Sequence, residues 1–254
     1  MFFKEFLTFF KKRFSIFVQI FIMLSYFKRY RFFIIGFFLL CVVIMSLFYN
    51  ALKPAKKLPI YTPAMVNPEM VDTLVQHKNN KLEHKIAAFE FTNQNNEKVT
   101  EKDYENTIYV ADFFFTTCKT ICPIMTDNMV KIQEQIKNMP DVKILSFSVT
   151  PEIDTPEVLR NYANEKGAID GKWNMVTGDK KDIYYLARQS FLAVKTGSAD
   201  EMYDMVHTEN FVLVDKNGRI RGFYDGLNYD KPTDDDTKNL TQLLEDINWL
   251  RENQ

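Results

Sequence analysis

The chain has 254 residues, enough for one domain with appendages, and its formal net charge is −1. The charge is unevenly divided: residues 1–57 carry ten Lys or Arg and one acid, whereas the rest of the chain carries 22 basic and 32 acidic side chains. The acidic body has no basic stripe, which excludes nucleic-acid binding as its function. A basic, apolar head before an acidic body instead indicates a membrane anchor followed by an exported domain.

The anchor is predicted at residues 32–49, an 18-residue run without a charged side chain. At 1.5 Å per residue it nearly spans a bilayer core of about 30 Å. Seven basic residues precede it and three follow before residue 58, which places the N-terminus in the cytoplasm and the body outside. No small-residue cleavage pattern follows the run. We therefore expect an uncleaved, single-pass anchor in a bacterial inner membrane, with residues 1–31 as a basic cytoplasmic or interfacial segment.

A second apolar run, residues 14–27, precedes the anchor and is too short to span a bilayer comfortably. It favours an interfacial position, and a start of translation at Met23 is the alternative; both remain open. Prolines recur after the anchor, at Pro54, Pro59, Pro63 and Pro68. They predict an extended linker, and residues 67–69 look like the start of a short helix, so that linker and helix together occupy residues 50–83.

From residue 84 the body alternates between strand-like and helix-like patterns. The predicted strands cover residues 85–92, 107–115, 142–149, 211–215 and 219–224, with a turn at 93–97. The predicted helices cover residues 125–137, 155–165, 179–191 and 237–252. Alternating strands and helices, followed by a hairpin and a last helix, predict a thioredoxin-like α/β domain at residues 84–254. Sites in such folds gather where strands end.

The body has two cysteines, Cys118 and Cys122, in residues 115–122, here named the cysteine loop. The third, Cys41, lies in the anchor, where packing or lipid contact accounts for it. Four residues make about one helical turn, so both sulfurs face the same way, and a helix N-terminus favours their thiolates. Two adjacent thiolates bind a soft metal or close into a disulfide. A purely structural disulfide between these cysteines would close only a very short loop and so would stabilise the fold little. Metal binding and redox exchange both remain open.

Three histidines complete the set of candidate ligands. His77 and His84 stand in a polar segment before the first strand, and we expect both to be exposed. His207 precedes the strand at 211–215, and in a parallel sheet that loop is predicted to approach the cysteine loop. Two thiolates suit Cu(I), and an imidazole also supports Cu(II). On spacing alone His207 is equally well explained as a ligand or as a solvent-facing loop residue.

Other candidates carry less weight. Zinc ranks low, because a structural zinc site takes four ligands and the body offers three. Asp112, six residues before Cys118, is predicted either to hydrogen-bond the cysteine loop or tune a thiol, or to be an inward-facing acid with backbone partners. Ordinary packing is the favoured interpretation for the methionines near His207, Met202 and Met205.

Four segments now stand in order along the body. They are the Cys-x-x-x-Cys-Pro of residues 118–123, the Ser-Val-Thr-Pro-Glu-Ile-Asp-Thr-Pro-Glu-Val-Leu-Arg of residues 148–160, the Trp-Asn-Met-Val-Thr-Gly of residues 173–178, and His207 before the Phe-Val-Leu-Val-Asp-Lys-Asn-Gly of residues 211–218. Together they resemble the SCO/SenC family of proteins required for cytochrome c oxidase assembly. The resemblance runs from about residue 84 to the C-terminus.

This resemblance implies a thioredoxin-like fold that binds copper, Cu(I) or Cu(II), through Cys118, Cys122 and His207. It implies delivery of copper to the dinuclear centre of oxidase subunit II or to another copper protein, or reduction of that partner's cysteines. In the oxidised form Cys118 and Cys122 would form a disulfide. The chain departs from the family pattern at Val206, where an Asp often precedes the histidine, and at Thr150, where the family has Ser-Val-Asp-Pro.

The alternative function is thiol–disulfide exchange, with Cys118 and Cys122 as the catalytic residues. Oxidoreductases of the thioredoxin type usually place a cis-proline just before the later strand, but no proline occurs between Pro156 and Pro232. His207 stands in that stretch instead, which favours a copper metallochaperone over an enzyme. A redox or copper sensor would call for a signalling domain, and a peroxidase for an arginine beside the cysteines; the sequence supports neither.

Overall fold

The computed structural model describes residues 29–49, 52, 57–66, 84–193, 209–231 and 238–254. It divides into two compact units, one up to Lys57 and one from Leu58 onward, and each is described by itself. The predicted short helix after Pro68, the apolar run at 14–27, His77, His207 and its neighbouring methionines lie outside the described residues.

The first unit contains helix α1, Arg29–Tyr49, which has 21 residues and a mean hydropathy of 2.7 over its most apolar stretch. At 1.5 Å per residue it is about 30 Å long, which matches a bilayer core. Its large apolar side chains are exposed, among them Phe32 and Phe38 at 75% and 70%. By length and composition α1 is the one helix in the described part of the chain that could cross a membrane.

The second unit is built on a seven-stranded sheet. Its strands are β1 Glu90–Asn93, β2 Lys98–Thr100, β3 Ile108–Phe114, β4 Val142–Ser148, β5 Trp173–Thr177, β6 Asn210–Val214 and β7 Ile220–Asp225. They stand in the order β2-β1-β5-β4-β3-β6-β7. Strands β3, β4 and β5 are parallel, whereas β1, β6 and β7 each run antiparallel to a neighbour. A parallel centre closed by antiparallel hairpins makes this a mixed α/β fold.

Four helices accompany the sheet. They are α2 Cys122–Ile136, α3 Pro156–Lys166, α4 Lys180–Tyr185, which continues into a π-turn at Leu186–Ser190, and α5 Leu240–Asn253. The ends of α3 follow from its sequence, because Thr155 caps its first turn through a hydrogen bond from the Val158 N–H and Gly167 closes it with φ 74°. The predicted helix bounds hold to within about three residues: α2 begins at Cys122 rather than at residue 125, and α5 begins at Leu240 rather than at residue 237.

The core lies on both faces of the sheet, and β3 is buried along all seven residues. One face carries an aromatic cluster in which Phe113 stacks on Phe147 with ring centroids 5.0 Å apart. The other face carries Val110 and Phe114 together with both cysteines of the cysteine loop. Since side chains alternate along a strand, Asp112 lies on the same face as the cysteines.

Two predictions about the sheet were wrong, and one strand was missed. The early strand begins at Glu90 rather than at residue 85, because residues 84–89 pack beside the π-turn. Strand β5 was not predicted, although it pairs with β4 in the centre of the sheet. Strand β6 is antiparallel to β3, not parallel. The start of β6 therefore meets the end of β3, whereas a parallel strand would begin at the opposite edge.

Candidate metal centre

The cysteine loop connects the end of β3 to the start of α2. The Cys118 N–H donates to the Phe115 carbonyl at 3.3 Å, which turns the chain sharply after the strand. Cys122 is the first residue of α2, followed by Pro123, whose fixed φ suits a first helical turn. The predicted placement of both cysteines at a strand-to-helix junction agrees with this geometry.

The two sulfurs lie together beneath the surface. The Cys122 N–H donates to Cys118 Sγ at 3.4 Å, and the Thr120 hydroxyl lies 3.7 Å from the same sulfur. Both thiols are free, and the residues are 8% and 3% exposed. A paired and nearly buried dithiol of this kind can bind a soft cation or close into a disulfide.

The two thiols differ in acidity. Burial raises the pKa of Cys118, but hydrogen bonds from the Cys122 thiol and from the backbone of Thr120 and Cys122 outweigh it and lower the pKa to about 7. Burial and the hydrogen bond to Cys118 raise the pKa of Cys122 to about 12. Cys118 is therefore the more readily ionised of the two thiols and, at neutral pH, the more nucleophilic sulfur.

Asp112 contacts the neighbouring strand rather than the cysteine loop. Its carboxylate accepts a hydrogen bond from the Ser146 hydroxyl, which in turn accepts one from Trp173 Nε1 at 2.8 Å. Burial raises the pKa of Asp112 to about 7, although the Ser146 hydrogen bond opposes the rise. The charge of Asp112 contributes to the raised pKa of Cys122, so the predicted influence on a thiol is electrostatic.

Asp154, which the sequence analysis did not single out, binds the start of the cysteine loop. Its carboxylate accepts hydrogen bonds from the N–H and the hydroxyl of Thr116, two residues before Cys118. The hydroxyls of Ser148 and Thr150 donate to it as well, at 2.6 and 3.1 Å. We name these four residues the Asp154 cluster. The sequence signal was available, because Ser148, Thr150 and Asp154 all belong to one of the four segments that carry the family resemblance.

His84 is not the exposed histidine that the sequence predicted. Its Nε2 lies 2.7 Å from the Ser190 carbonyl at the end of the π-turn, and the next segment is fixed by the Ala87 N–H donating to the Ser190 hydroxyl. Burial lowers the pKa of His84, against the opposing effect of the Ser190 hydrogen bond. His84 is thus a half-buried packing residue, and its separate hydrogen bond gives it no part in the dithiol site.

Glu209, the first described residue before β6, lies close to α2, the helix that begins at Cys122. The Gly226 N–H donates to the Glu209 carbonyl at 2.7 Å, and Asn128 on α2 donates to the Gly226 carbonyl at 2.9 Å. A β-carbon on Gly226 would lie 2.8 Å from the Glu209 carbonyl and 3.1 Å from the Met125 methyl group. Glu209 therefore lies near the first turn of α2, which is the turn that Cys122 begins.

Within the described ranges, no group of three or more His, Cys, Asp or Glu side chains stands ready for a metal ion. The donors that are described are the two sulfurs, and these fit a soft metal better than a hard one. A third ligand would have to come from elsewhere in the chain or from a partner. The fold and this dithiol together define a thioredoxin-like protein with paired, redox-capable cysteines.

Comparison with known proteins identifies the family. Residues 77–245 match the SCO1/SenC family model, and the chain belongs to that family. It is 34% identical over 169 residues to the SCO1 protein homolog of Bacillus subtilis (strain 168), covering 64% of this chain and 86% of the relative.

Two solved structures extend the comparison. A SCO1/SenC family lipoprotein from Bacillus anthracis str. Ames has a TM-score of 0.56 and 31% identity, covering 67% of this chain and 96% of that one. BsSco, described as a member of the Sco family of cytochrome c oxidase assembly proteins with a disulfide switch, has a TM-score of 0.55 and 29% identity, covering 69% and 98%. The predicted thioredoxin-like fold and family are thereby confirmed.

Proposed function

We propose that this chain is a membrane-anchored copper metallochaperone that binds copper through Cys118, Cys122 and His207. The observation that carries the proposal is the buried pair of cysteines, in which the backbone N–H of Cys122 donates a hydrogen bond to Cys118 Sγ. Two thiolates held one turn apart suit Cu(I), and a neutral imidazole would complete a site for either oxidation state. Copper binding releases protons, because each thiol must ionise to become a ligand.

His207 is proposed as the third ligand on two grounds. It is the histidine that the family resemblance assigns to copper, and it stands two residues before Glu209, whose carbonyl lies against Gly226 beside α2. His84, by contrast, is engaged with the Ser190 carbonyl. We propose no zinc site, since two thiols and one histidine leave a tetrahedral ion one ligand short.

The proposed partner is another copper protein, in particular subunit II of cytochrome c oxidase with its dinuclear copper centre. The support is membership of a family in which BsSco is described as a cytochrome c oxidase assembly protein. Transfer would proceed by ligand exchange at a docked interface, with partner donors replacing Cys118, Cys122 and His207 in turn. The acidic body would steer a partner with a basic patch.

The proposed location is a bacterial inner membrane, crossed once by α1, with the domain from residue 84 on the outer side. The length and hydropathy of α1 support a span, and the excess of basic residues before it supports a cytoplasmic N-terminus. A related protein is described as a lipoprotein, which also belongs at a membrane.

A second function, reduction of a partner's disulfide, is supported by the unequal acidity of the two thiols. Cys118, with a pKa of about 7, would attack the partner disulfide, and Cys122, with a pKa of about 12, would then resolve the mixed disulfide. The partner would gain two electrons and two protons, and the chain would be left with a Cys118–Cys122 disulfide. BsSco is described as containing a disulfide switch.

One experiment separates the two functions. The reduced full-length chain in detergent, carrying Cys41→Ser to remove the anchor thiol, is loaded with copper, desalted and assayed for bound metal beside Cys118→Ser and His207→Ala. We expect one retained copper per chain, loss of retention in Cys118→Ser, and weaker Cu(II) than Cu(I) retention in His207→Ala. No retained copper, together with rapid reduction of a disulfide substrate, would replace the chaperone by the reductase.

A further inference from the structure

The Asp154 cluster holds a carboxylate that is completely buried. Asp154 lies in the connection between β4 and α3 and is 0% exposed. Both carboxylate oxygens accept hydrogen bonds: Oδ2 from the Thr116 N–H at 3.1 Å and from the Ser148 and Thr150 hydroxyls, and Oδ1 from the Thr116 hydroxyl. In the part of the chain that the structure describes, these donors are one backbone amide and three hydroxyls, with no Lys or Arg among them.

The cluster joins two adjacent loops at one edge of the sheet. Ser148 is the last residue of β4, and the Val149 N–H donates to the Phe114 carbonyl at 2.9 Å, which continues the pairing of β3 and β4 to their ends. Both strands end there, and the hydrogen bonds of Asp154 connect Thr116, which follows β3, to the segment that follows β4. Its own N–H donates to the Thr150 carbonyl at 2.9 Å, which fixes the carboxylate in place.

We propose that Asp154 is a positioning residue for the dithiol: by anchoring Thr116 at both its N–H and its hydroxyl, it holds the turn that places Cys118 Sγ beside Cys122. Without that anchor the chain between Phe114 and Cys118 would be free to move, and the two sulfurs would spend less time together. The consequence for copper rests on the proposed function, whereas the consequence for disulfide formation does not.

The donors around residue 154 require two acceptor oxygens, which a carboxylate supplies and an amide does not. Asp154→Asn keeps the shape but replaces one acceptor oxygen by an amide group that donates. The hydroxyls of Ser148 and Thr150 can turn to accept, but the Thr116 N–H cannot, so one buried donor loses its partner or competes for the remaining oxygen. Thr116→Val removes one of the two anchors from the other side, while Thr116→Ser retains the hydroxyl.

The test uses the metal-free, full-length Cys41→Ser chain in detergent, equilibrated at pH 7 with reduced and oxidised glutathione. In this exchange the Cys118–Cys122 dithiol gives two electrons and two protons to glutathione disulfide, which becomes two glutathione thiols. The equilibrium constant reports how closely the two sulfurs are held. Trypsin cleavage after Lys119 separates the two cysteines, so each alkylated thiol is counted in its own peptide.

We expect Asp154→Asn to lower this equilibrium constant by about tenfold, which corresponds to the loss of one buried hydrogen bond to a charged group. Thr116→Val should also lower the equilibrium constant for exchange with glutathione, and Thr116→Ser should leave it near the wild-type value.

A matched control separates positioning from general stability. Asp246 is also a buried aspartate, and it accepts hydrogen bonds from the Tyr224 hydroxyl and Lys238, neither of which belongs to the cysteine loop. Asp246→Asn should lower the denaturant midpoint yet leave the glutathione equilibrium unchanged. A glutathione constant for Asp154→Asn within about twofold of wild type, or equal losses in the two variants, would overturn the proposal.

Copper binding supplies an independent arm. Competition with a chelator should show affinity about tenfold weaker in Asp154→Asn than in wild type, again with Asp246→Asn unchanged. If wild type retains no copper but the glutathione constants differ as expected, the proposed function fails while the role of Asp154 stands. Unchanged glutathione constants with copper bound normally by wild type and Asp154→Asn would refute the positioning role alone.

Discussion

Two fully buried aspartates stand at opposite edges of the same sheet and are stabilised in different ways. Asp154 stands at the edge where β3 and β4 end, and it is held by hydroxyls and one backbone N–H. Asp215 follows β6, which runs antiparallel to β3, so it stands at the opposite edge. Its carboxylate is paired with Arg219 and Arg221 at 3.0 and 2.8 Å.

The two aspartates have different roles: Asp215 stabilises the attachment of one segment to the sheet, whereas Asp154 positions the cysteine loop. Arg221 also donates to the carbonyls of Leu58 and Pro59, so the ion pair at Asp215 fastens the start of this unit onto β7. Asp154 instead binds a loop that carries a reactive side chain. The charge of Asp215 is balanced by two guanidinium groups, which form an ion pair. The carboxylate of Asp154 is balanced only by hydroxyl and N–H dipoles, so its geometry depends on every one of these donors.

The largest effect on stability is expected at the ion pair between Asp215 and Arg221. Arg221→Met removes the guanidinium from a nearly buried site and leaves Asp215 with less compensation, so we expect a loss of about 3–5 kcal/mol in the free energy of unfolding. Denaturant titration measures it. Arg219→Met, whose side chain is one quarter exposed, should cost clearly less. Equal and small losses in both variants would show that Asp215 is not held by a buried ion pair.

The second effect concerns pH and contrasts Asp112 with Asp215. In the folded chain Asp112 has a pKa of about 7, whereas its ordinary pKa is 3.8. Between about pH 4 and pH 7 the folded state therefore holds a proton that the unfolded state has lost, so the free energy of unfolding decreases as the pH rises through this range. Asp215 acts in the opposite sense: despite burial, hydrogen bonds from Gln254 and Arg221 lower its pKa, and its contribution is lost only as the solution becomes strongly acidic.

Asp112→Asn should therefore abolish part of the decline in stability between pH 4 and 7. At pH 8 the variant should be more stable than wild type by up to about 4 kcal/mol, the value of a shift of about three pKa units. Unfolding curves at pH 5 and pH 8 give the comparison. Asp170→Asn serves as the control, because the hydrogen bond from Arg160 lowers the pKa of Asp170 and keeps its titration below this window. An unchanged pH slope in Asp112→Asn would contradict the account.

The smallest effect is expected two residues from Asp154. Glu152 belongs to the same loop but is exposed, and it pairs with Lys180 at 2.8 Å on the surface. Because exposed ion pairs contribute about 0–1 kcal/mol, Glu152→Gln should barely change the unfolding midpoint and should leave the glutathione equilibrium constant of the dithiol unchanged. A shift as large as that of Asp154→Asn would mean that the whole loop, rather than the buried carboxylate, controls the cysteines.

Much of the fold could be predicted from sequence because its signals are local. The apolar run ending in the cysteine loop, the capped helix after Thr155 and the hairpin around Gly218 each show their structure within a few residues. Strand β5 was missed, since Trp173–Thr177 has only five residues, two of them polar, and its pairing partners are distant in the chain. The direction of β6 was also wrong, because strand direction depends on the path of the intervening chain.

In the candidate site, too, the local features could be predicted from sequence and the contacts between distant residues could not. Spacing alone brought Cys118 and Cys122 together, because one helical turn is a local distance. Asp154 binds Thr116 across 38 residues, and His84 reaches Ser190 across 106, so neither contact leaves a periodic signal in the sequence. The acidity of Cys118 was expected from a helix N-terminus, but the structure attributes it chiefly to hydrogen bonds within the cysteine loop.

The measurement that tests the central claim most directly is X-ray absorption on the copper-loaded, full-length Cys41→Ser chain. The account predicts two sulfur donors and at least one nitrogen donor at the copper, from Cys118, Cys122 and His207, with the nitrogen contribution reduced in His207→Ala and the sulfur contribution reduced in Cys118→Ser. Copper surrounded by oxygen and nitrogen donors, with no sulfur, would contradict the assignment of the buried dithiol as the copper site.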